Sequence, residues 1–310
     1  MFIPSYINLY KTGELKKRIK RAEEILKNCT LCPRKCKVDR TKNEKGYCKS
    51  GYLPRVSSFN PHFGEEAPLV GKNGSGTIFF SGCNLLCVFC QNYEISHLNE
   101  GEEVTFENLA KMMLYLQNIG CHNINFVTPT HFILPILKSL EIAISSGFSL
   151  PIVYNCGGYE NLETLKLLEG VVDIYMPDIK YSDSSVSKEY SNAEDYFEVA
   201  KKAVKEMHRQ VGDLLINSQG IAERGLLIRH LVLPQNRAGT KEIMKFIAEE
   251  ISPYTYINIM DQYYPCYLAS KFPQINRRIT SEEYKQAIET ALSFGLRRID
   301  ERKRIFILRW

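Results

Sequence analysis

Six short runs of apolar, β-branched and aromatic residues recur along this chain, and every gap between them is long enough for a helix. The runs are TIFF (77–80), NINFV (123–127), PIVYN (151–155), VVDIYM (171–176), LLIRHLV (226–232) and YINIM (256–260). The gaps have room for helices at Phe106–Asn118, His131–Ser146, Leu162–Glu169, Asp195–Gln210 and Lys241–Glu250. A last helix is signalled by the capping box Thr280-Ser281-Glu282-Glu283, with Tyr284, Ala287, Ile288, Ala291 and Leu292 on its apolar face. Strands alternating with helices demand a parallel sheet with right-handed crossovers. The pattern predicts an α/β fold, a partial (β/α)6 TIM-like barrel, with a doubly wound open sheet as the alternative. In both, chemistry belongs at the carboxyl ends of the strands.

The chain before Thr77 is organised differently. Leu15, Ile19, Ala22 and Leu26 recur at helical spacing between Glu14 and Asn28. Four thiols follow at Cys29, Cys32, Cys36 and Cys48. Their segment has too few apolar residues for a core of its own, so a metal is expected to organise it. Four thiolates close either a tetrahedral zinc site or a [4Fe–4S] cluster, and spacing alone does not separate the two. Residues 51–76 read as a turn-rich connector, and their glycines lack the spacing of a phosphate loop. The expected division is 1–70 for helix, cysteine lobe and connector, and 71–310 for the barrel.

A second group of thiols, in SGCNLLCVFCQN (81–92), lies just past the end of the first strand. Cys83, Cys87 and Cys90 can hold three irons of a [4Fe–4S] cube and leave the fourth open to a bound molecule. The competing reading is structural zinc with a fourth ligand from elsewhere, such as His97. The opening residues lack the pattern of a signal peptide, and no run of about eighteen apolar residues occurs. A cytoplasmic chain with no membrane span is therefore expected, in which ten cysteines are not a disulfide framework. Cys121, Cys156 and Cys266 stand alone and read as small buried residues. Cys156, at a strand tip, is also a weak candidate hydrogen donor. The net charge of +5 is mild, and the basic clusters Lys16–Lys20 and Arg297–Arg304 read as a solvated helix face and tail. Nucleic acid is not the expected partner.

The spacing C-x3-C-x2-C, with aromatic Phe89 before its last cysteine, resembles the signature of the radical S-adenosylmethionine (SAM) enzymes. The resemblance spans about 240 residues from Gly71 onward. It is closest to the activating enzymes of pyruvate formate-lyase, especially a subgroup named as their homologues. It implies that SAM chelates the fourth iron and is cleaved reductively to a 5′-deoxyadenosyl radical that abstracts hydrogen. It also implies an oxygen-sensitive protein, a flavodoxin- or ferredoxin-like electron donor and a glycyl-radical enzyme as substrate.

Strand tips extend the resemblance. VTPTHF (127–132) replaces the Gly-Gly-Glu run of many relatives, so Thr128 and Thr130, or backbone carbonyls, would have to hold the SAM amino group. YNCGGY (154–159) offers the Asn155 amide, with Gly157-Gly158 allowing close backbone approach. In MPDIKY (176–181), Asp178 and Lys180 share one strand face and suit recognition of amine and carboxylate. In LLIRHLVLP, Arg229 and His230 point to opposite faces, and the resemblance favours Arg229 for the SAM carboxylate, leaving His230 packed or exposed. In NIMDQYYP (258–265), Gln262 is a weak candidate beside the substrate. The alternative activities are radical modification of another protein, RNA or a metabolite. A rival of another class is a non-catalytic zinc-binding interaction module.

Overall fold

The computed structural model describes residues 2–300, so the basic cluster Arg297–Arg304 lies partly outside the described residues. In chain order the elements are α1 (Tyr6–Lys11), α2 (Glu14–Leu26), β1 (Arg55–His62), α3 (Ala67–Val70), β2 (Ser75–Phe80), α4 (Tyr93–Ser96), β3 (Glu102–Glu103), α5 (Phe106–Asn118), β4 (Ile124–Val127) and α6 (Ile133–Ser145). There follow β5 (Ile152–Cys156), α7 (Leu162–Leu168), β6 (Ile174–Pro177), α8 (Ser184–Ser191), α9 (Tyr196–Val211), β7 (Leu215–Ile216), β8 (Ala222–Leu231), α10 (Thr240–Phe246), β9 (Tyr256–Met260) and α11 (Ser281–Ser293). All six expected strands form. They pair in parallel in the order β2-β4-β5-β6-β8-β9. The order follows the chain without reversal, so the fold is the partial barrel and not the doubly wound sheet, which needs a switch point.

Local signals explain the boundaries. Thr105, Asn161 and Asp183 each accept backbone N–H bonds at the start of α5, α7 and α8. At α11, Thr280 accepts from the Glu283 N–H while the Glu283 carboxylate accepts from the Thr280 N–H, completing the capping box.

Alternation along the strands sorts side chains between two apolar layers. Tyr154 and Cys156 of β5 face the surrounding helices, while Val153 faces the lumen. Val153, Ile174, Met176, Leu214, Ala222 and Leu227 pack there around Leu69 of α3, which plugs the barrel from outside the strand array.

The stretch 51–76 is more than a connector. Arg55–His62 forms β1, antiparallel to β2, with a bulge between Val56 and Ser58. On its other side β1 meets β3 only at Arg55 and Val56, so the serines and Pro61 that mask the strand in sequence lie where it runs as an edge, which tolerates both. The N-terminal helices share the barrel's core through Tyr6, Leu15, Ile19, Ala22 and Leu26. Long-range bonds tie them down: the Tyr6 hydroxyl donates to the Leu150 carbonyl at 2.7 Å, and the Ser5 N–H to Asp173 at 3.4 Å.

Asp173 also accepts the Ile152 N–H at 3.0 Å, and burial pushes its carboxyl up to about 7. The native chain therefore keeps this proton between about pH 4 and pH 7, where the unfolded chain has released it, and stability falls as pH rises through that window. Asp173→Asn is expected to flatten the slope. Urea denaturation near pH 4.5 and pH 7.5 checks this; an unchanged slope refutes the assignment.

Candidate active site

The three-cysteine loop leaves the carboxyl end of β2 and passes over the barrel mouth. A hydrogen-bond donor points at each sulfur: the Leu85 N–H at Cys83 Sγ (3.3 Å), the Ser191 hydroxyl at Cys87 Sγ (3.1 Å) and the Ser96 hydroxyl at Cys90 Sγ (3.2 Å). Burial, then the neighbouring Cys87 sulfur, pushes the Cys83 thiol up to about 12. Burial and Cys87 raise Cys90 as well. Thiols this reluctant to ionise need a metal to become thiolates at neutral pH. Among the described residues, no three cysteine, histidine or carboxylate side chains are placed to hold one metal ion. A cube fits such a loop better than a single ion, because each thiolate ligates a different iron. His97 is no fourth ligand here: its Nε2 bonds the Cys87 carbonyl at 3.0 Å, and its ring lies 4.4 Å from Tyr267.

Beside the loop, three strand tips carry one charged array. Arg229 of β8 donates from Nε to Asp178 Oδ1 and from a terminal nitrogen to Asn155 Oδ1, both at 2.7 Å. Lys180 Nζ donates to the other oxygen of Asp178. Burial alone would raise the Asp178 carboxyl, but the Arg229 and Lys180 cations outweigh it and hold the carboxyl below its usual value. Burial pulls Lys180 down, and Asp178 and then the Cys87 sulfur more than reverse this. A Cβ at Gly157 would meet both Leu85 of the cysteine loop, at 2.7 Å, and Lys180 Cε, at 3.7 Å, so the Lys180 side chain lies beside that loop. Asp178, Lys180 and Arg229 remain 13%, 19% and 17% exposed, so a ligand can reach them. Gly158, at φ 76°, must be glycine, since a Cβ would sit 2.3 Å from the Asp178 carbonyl oxygen.

Thr128 joins this rim with φ 59°, a strained conformation for a β-branched residue that costs about 1–3 kcal/mol. The irregularity lies at Thr128 and not in a cis bond at Pro129. Other expected residues point elsewhere. The Thr130 hydroxyl is buried and donates to Glu160 at 2.7 Å. Phe89 is buried edge-on among Tyr181, Tyr190 and Tyr263, where it anchors the loop. Cys156, adjacent to Asn155, faces away from the lumen into the core and is withdrawn from the rim. Gln262 is exposed, and its carbonyl accepts from Gln91, just after the last cysteine. His230 is packed, bonding the Ile179 carbonyl and Thr240.

Sequence reasoning missed two acids in the stretch read as connector. Glu65 comes within 3.9 Å of Arg229, and buried Glu66 accepts from Asn258 at 2.6 Å. Adjacent carboxylates without nearby basic residues, in GEEAP (64–68), were the available signal.

The four-cysteine lobe is bolted to this site. Cys29, Cys32 and Cys48 are buried. Burial, followed by the Cys48 sulfur, raises Cys32. Half-buried Cys36 accepts the Tyr47 N–H at 3.2 Å. Arg34 donates to the carbonyls of Asn84 (2.9 Å) and Ser191 (2.8 Å), gripping the three-cysteine loop and the helix whose serine bonds Cys87. Arg40, 1% exposed, donates to the carbonyls of Gly51 and His131. A Cβ at Gly82 would lie 2.5 Å from the Cys48 carbonyl oxygen, so the lobe abuts the residue before Cys83.

The profile of the Radical SAM superfamily matches residues 77–247, more than half of the chain. This chain belongs to the radical SAM superfamily. Membership implies a [4Fe–4S] cluster and SAM. Uncharacterized protein MJ0674 of Methanocaldococcus jannaschii is 35% identical over 296 residues, covering 92% of this chain and 80% of that protein. The crystal structure of HydG, a maturase of the [FeFe]-hydrogenase, is similar over 71% of this chain at 14% identity, with a TM-score of 0.49. This chain covers 49% of HydG, about half its length. No helix among the described residues is long and apolar enough to cross a membrane.

The serine bonds to the sulfurs yield a test. A net hydrogen bond of about 1 kcal/mol corresponds to roughly 40 mV for a one-electron couple. Ser191→Ala is expected to lower the cluster midpoint by that order, because the lost bond favours the more negative, reduced cluster. Redox titration followed by electron paramagnetic resonance reads the shift.

Proposed function

We propose that this protein cleaves SAM reductively to methionine and a 5′-deoxyadenosyl radical, which takes a hydrogen atom from a backbone glycine of a glycyl-radical enzyme. The observation that carries the reading is the convergence of the three-cysteine loop with Asp178, Lys180, Asn155 and Arg229. A bound [4Fe–4S] cluster supplies the electron for cleavage and an iron that the protein leaves open.

This chain's residues orient the co-substrate. Asp178 would meet its ammonium and Lys180 its carboxylate by exchanging part of the pairing they now share, and Arg229, held by Asp178 and Asn155, would offer its remaining terminal nitrogen to the carboxylate. The Asn155 side-chain oxygen fixes that guanidinium, and Thr128, whose N–H donates to the Asn155 carbonyl at 2.9 Å, would offer its hydroxyl or its carbonyl to the amine. Partial exposure of the array leaves room for a protein segment to enter. The glycyl-radical substrate rests on the likeness of MPDIKY and LLIRHLVLP to activating enzymes, an argument by analogy. A flavodoxin- or ferredoxin-like protein supplies the electron, and the four-cysteine lobe holds zinc or a second [4Fe–4S] cluster.

Anaerobic incubation of reconstituted protein with SAM and dithionite is expected to release 5′-deoxyadenosine and methionine without added substrate. Intact cluster absorbance with neither product refutes the reading. Deuterium transfer from a glycine-labelled partner into 5′-deoxyadenosine tests the substrate.

Mutants should separate the two cysteine groups. Cys90→Ala is expected to lose the catalytic cluster and all cleavage while the barrel stays folded. In Cys48→Ala, cleavage between about residues 29 and 50 by protease should increase, since metal binding contributes folding energy there. Some uncoupled cleavage of SAM should survive in it. Metal content, limited proteolysis and product analysis report all three.

A further inference from the structure

The lobe carries an unusual charge. Between Lys27 and Ser50 stand eight basic residues and two acidic ones, a net +6 in a chain whose total is +5. Lys27, Lys35, Lys37, Lys42, Lys45 and Lys49 are all exposed. They interleave with the thiols: Lys35 and Lys37 flank Cys36, and Lys49 follows Cys48. Of the two acids, Asp39 is engaged with Lys42 at 3.4 Å, and Glu44 accepts the Asp39 N–H at 2.7 Å. Four thiolates around zinc or a [4Fe–4S] cluster would offset about two of these charges, and the ion pairs leave most of the rest uncompensated.

The position of the charge is as informative as its size. Through Arg34 the lobe grips the Asn84 carbonyl, inside the three-cysteine loop, and the Ser191 carbonyl, whose hydroxyl serves Cys87. Lys49 Nζ donates to the His97 carbonyl at 3.0 Å, and His97 in turn holds the Cys87 carbonyl. A body seated at Lys49, or at Lys35 beside Arg34, is thus close to the cluster loop.

We propose that the lysine face of the four-cysteine lobe is the docking site of an acidic one-electron donor protein, which reduces the catalytic cluster from there. The inference rests on the radical SAM reading and adds the place of electron entry. Positive charge grouped around a redox loop steers an acidic partner and fixes its orientation. The balance is simple: the donor loses one electron and the cluster gains it, with no bond made or broken. Nucleic acid fits the face less well. Single strands need open aromatic platforms, and the lobe's one aromatic, Tyr47, lies under the Arg34 guanidinium at 4.0 Å.

Stopped-flow reduction of the anaerobically reconstituted full chain tests the proposal. Photoreduced flavodoxin is the acidic donor, and photoreduced deazariboflavin is a small donor that needs no docking. The triple variant Lys35→Glu, Lys37→Glu, Lys45→Glu is expected to slow reduction by flavodoxin about tenfold at low ionic strength. The gap should close as salt is added, and the deazariboflavin rate should not change. Should the variant lose iron, the triple Lys→Gln variant replaces it, with a smaller slowing of the same selectivity. An unchanged flavodoxin rate at full iron content overturns the docking site. Equal slowing by both donors also overturns it, because the defect then lies in the cluster. Loss of binding to a single-stranded RNA with normal flavodoxin reduction assigns the face to nucleic acid instead. Wild-type protein that deazariboflavin reduces but that never cleaves SAM refutes the functional reading, an outcome separate from the others.

Discussion

A carboxylate held between a guanidinium and an ammonium sets the geometry of the barrel mouth. Asp178 alone would be costly to keep ionised away from water, and so would Arg229 or Lys180. Together they satisfy one another, and the second arm of Arg229 reaches Asn155. One cluster of bonds thereby locks the tips of β5, β6 and β8. The Tyr196 hydroxyl reinforces the same corner by accepting the Lys180 N–H and donating to the Gly157 carbonyl. The close chain crossing that results admits only glycine at 158. Binding groups, backbone path and residue choice at the rim are consequences of one partly exposed ion triad.

The cysteine lobe obeys a related rule. It has little apolar surface of its own, so it is fastened by arginines that saturate carbonyl groups. Arg40 is almost wholly enclosed, and its donors end on backbone oxygens. A guanidinium suits this because its planar fork satisfies several acceptors at once. Arg34 does the same where the lobe meets the catalytic loop. The lobe is therefore a wall of the site as much as an appendage to it.

Much of this was legible in the residues. Strand–helix alternation carried the barrel, and the capping box located α11. The three-cysteine loop follows the first barrel strand as its place in the sequence implies, and the two-residue spacing of Asp178 and Lys180 brings both side chains to one ion pair. What was hidden depended on partners remote in the chain. β1 hides because beyond Val56 it is paired on one side only, where serine and proline are tolerated. Glu65 and Glu66 become part of the site only through Arg229 and Asn258, more than 160 residues away. The alternation that separates Arg229 from His230 also separates Asn155 from Cys156, which is why that thiol faces the core. Thr130 and Phe89 lie near the rim along the chain, yet Glu160 and three tyrosines decide where their side chains turn.

The lobe's seating has a consequence for how the chain is made. Its carbonyls at Thr30 and Leu31 are satisfied by Asn161 and Thr164, 131 and 133 residues later, and the Arg34 bond to Ser191 spans 157. A ribosome delivers these cysteines first and their supports last. Contacts of such long range close slowly, because the intervening chain must order before they form. The four thiols thus wait, uncovered, while half the protein is synthesised. Covering of these thiols therefore waits on closure of the barrel, and until then they are exposed to whatever oxygen the cell contains.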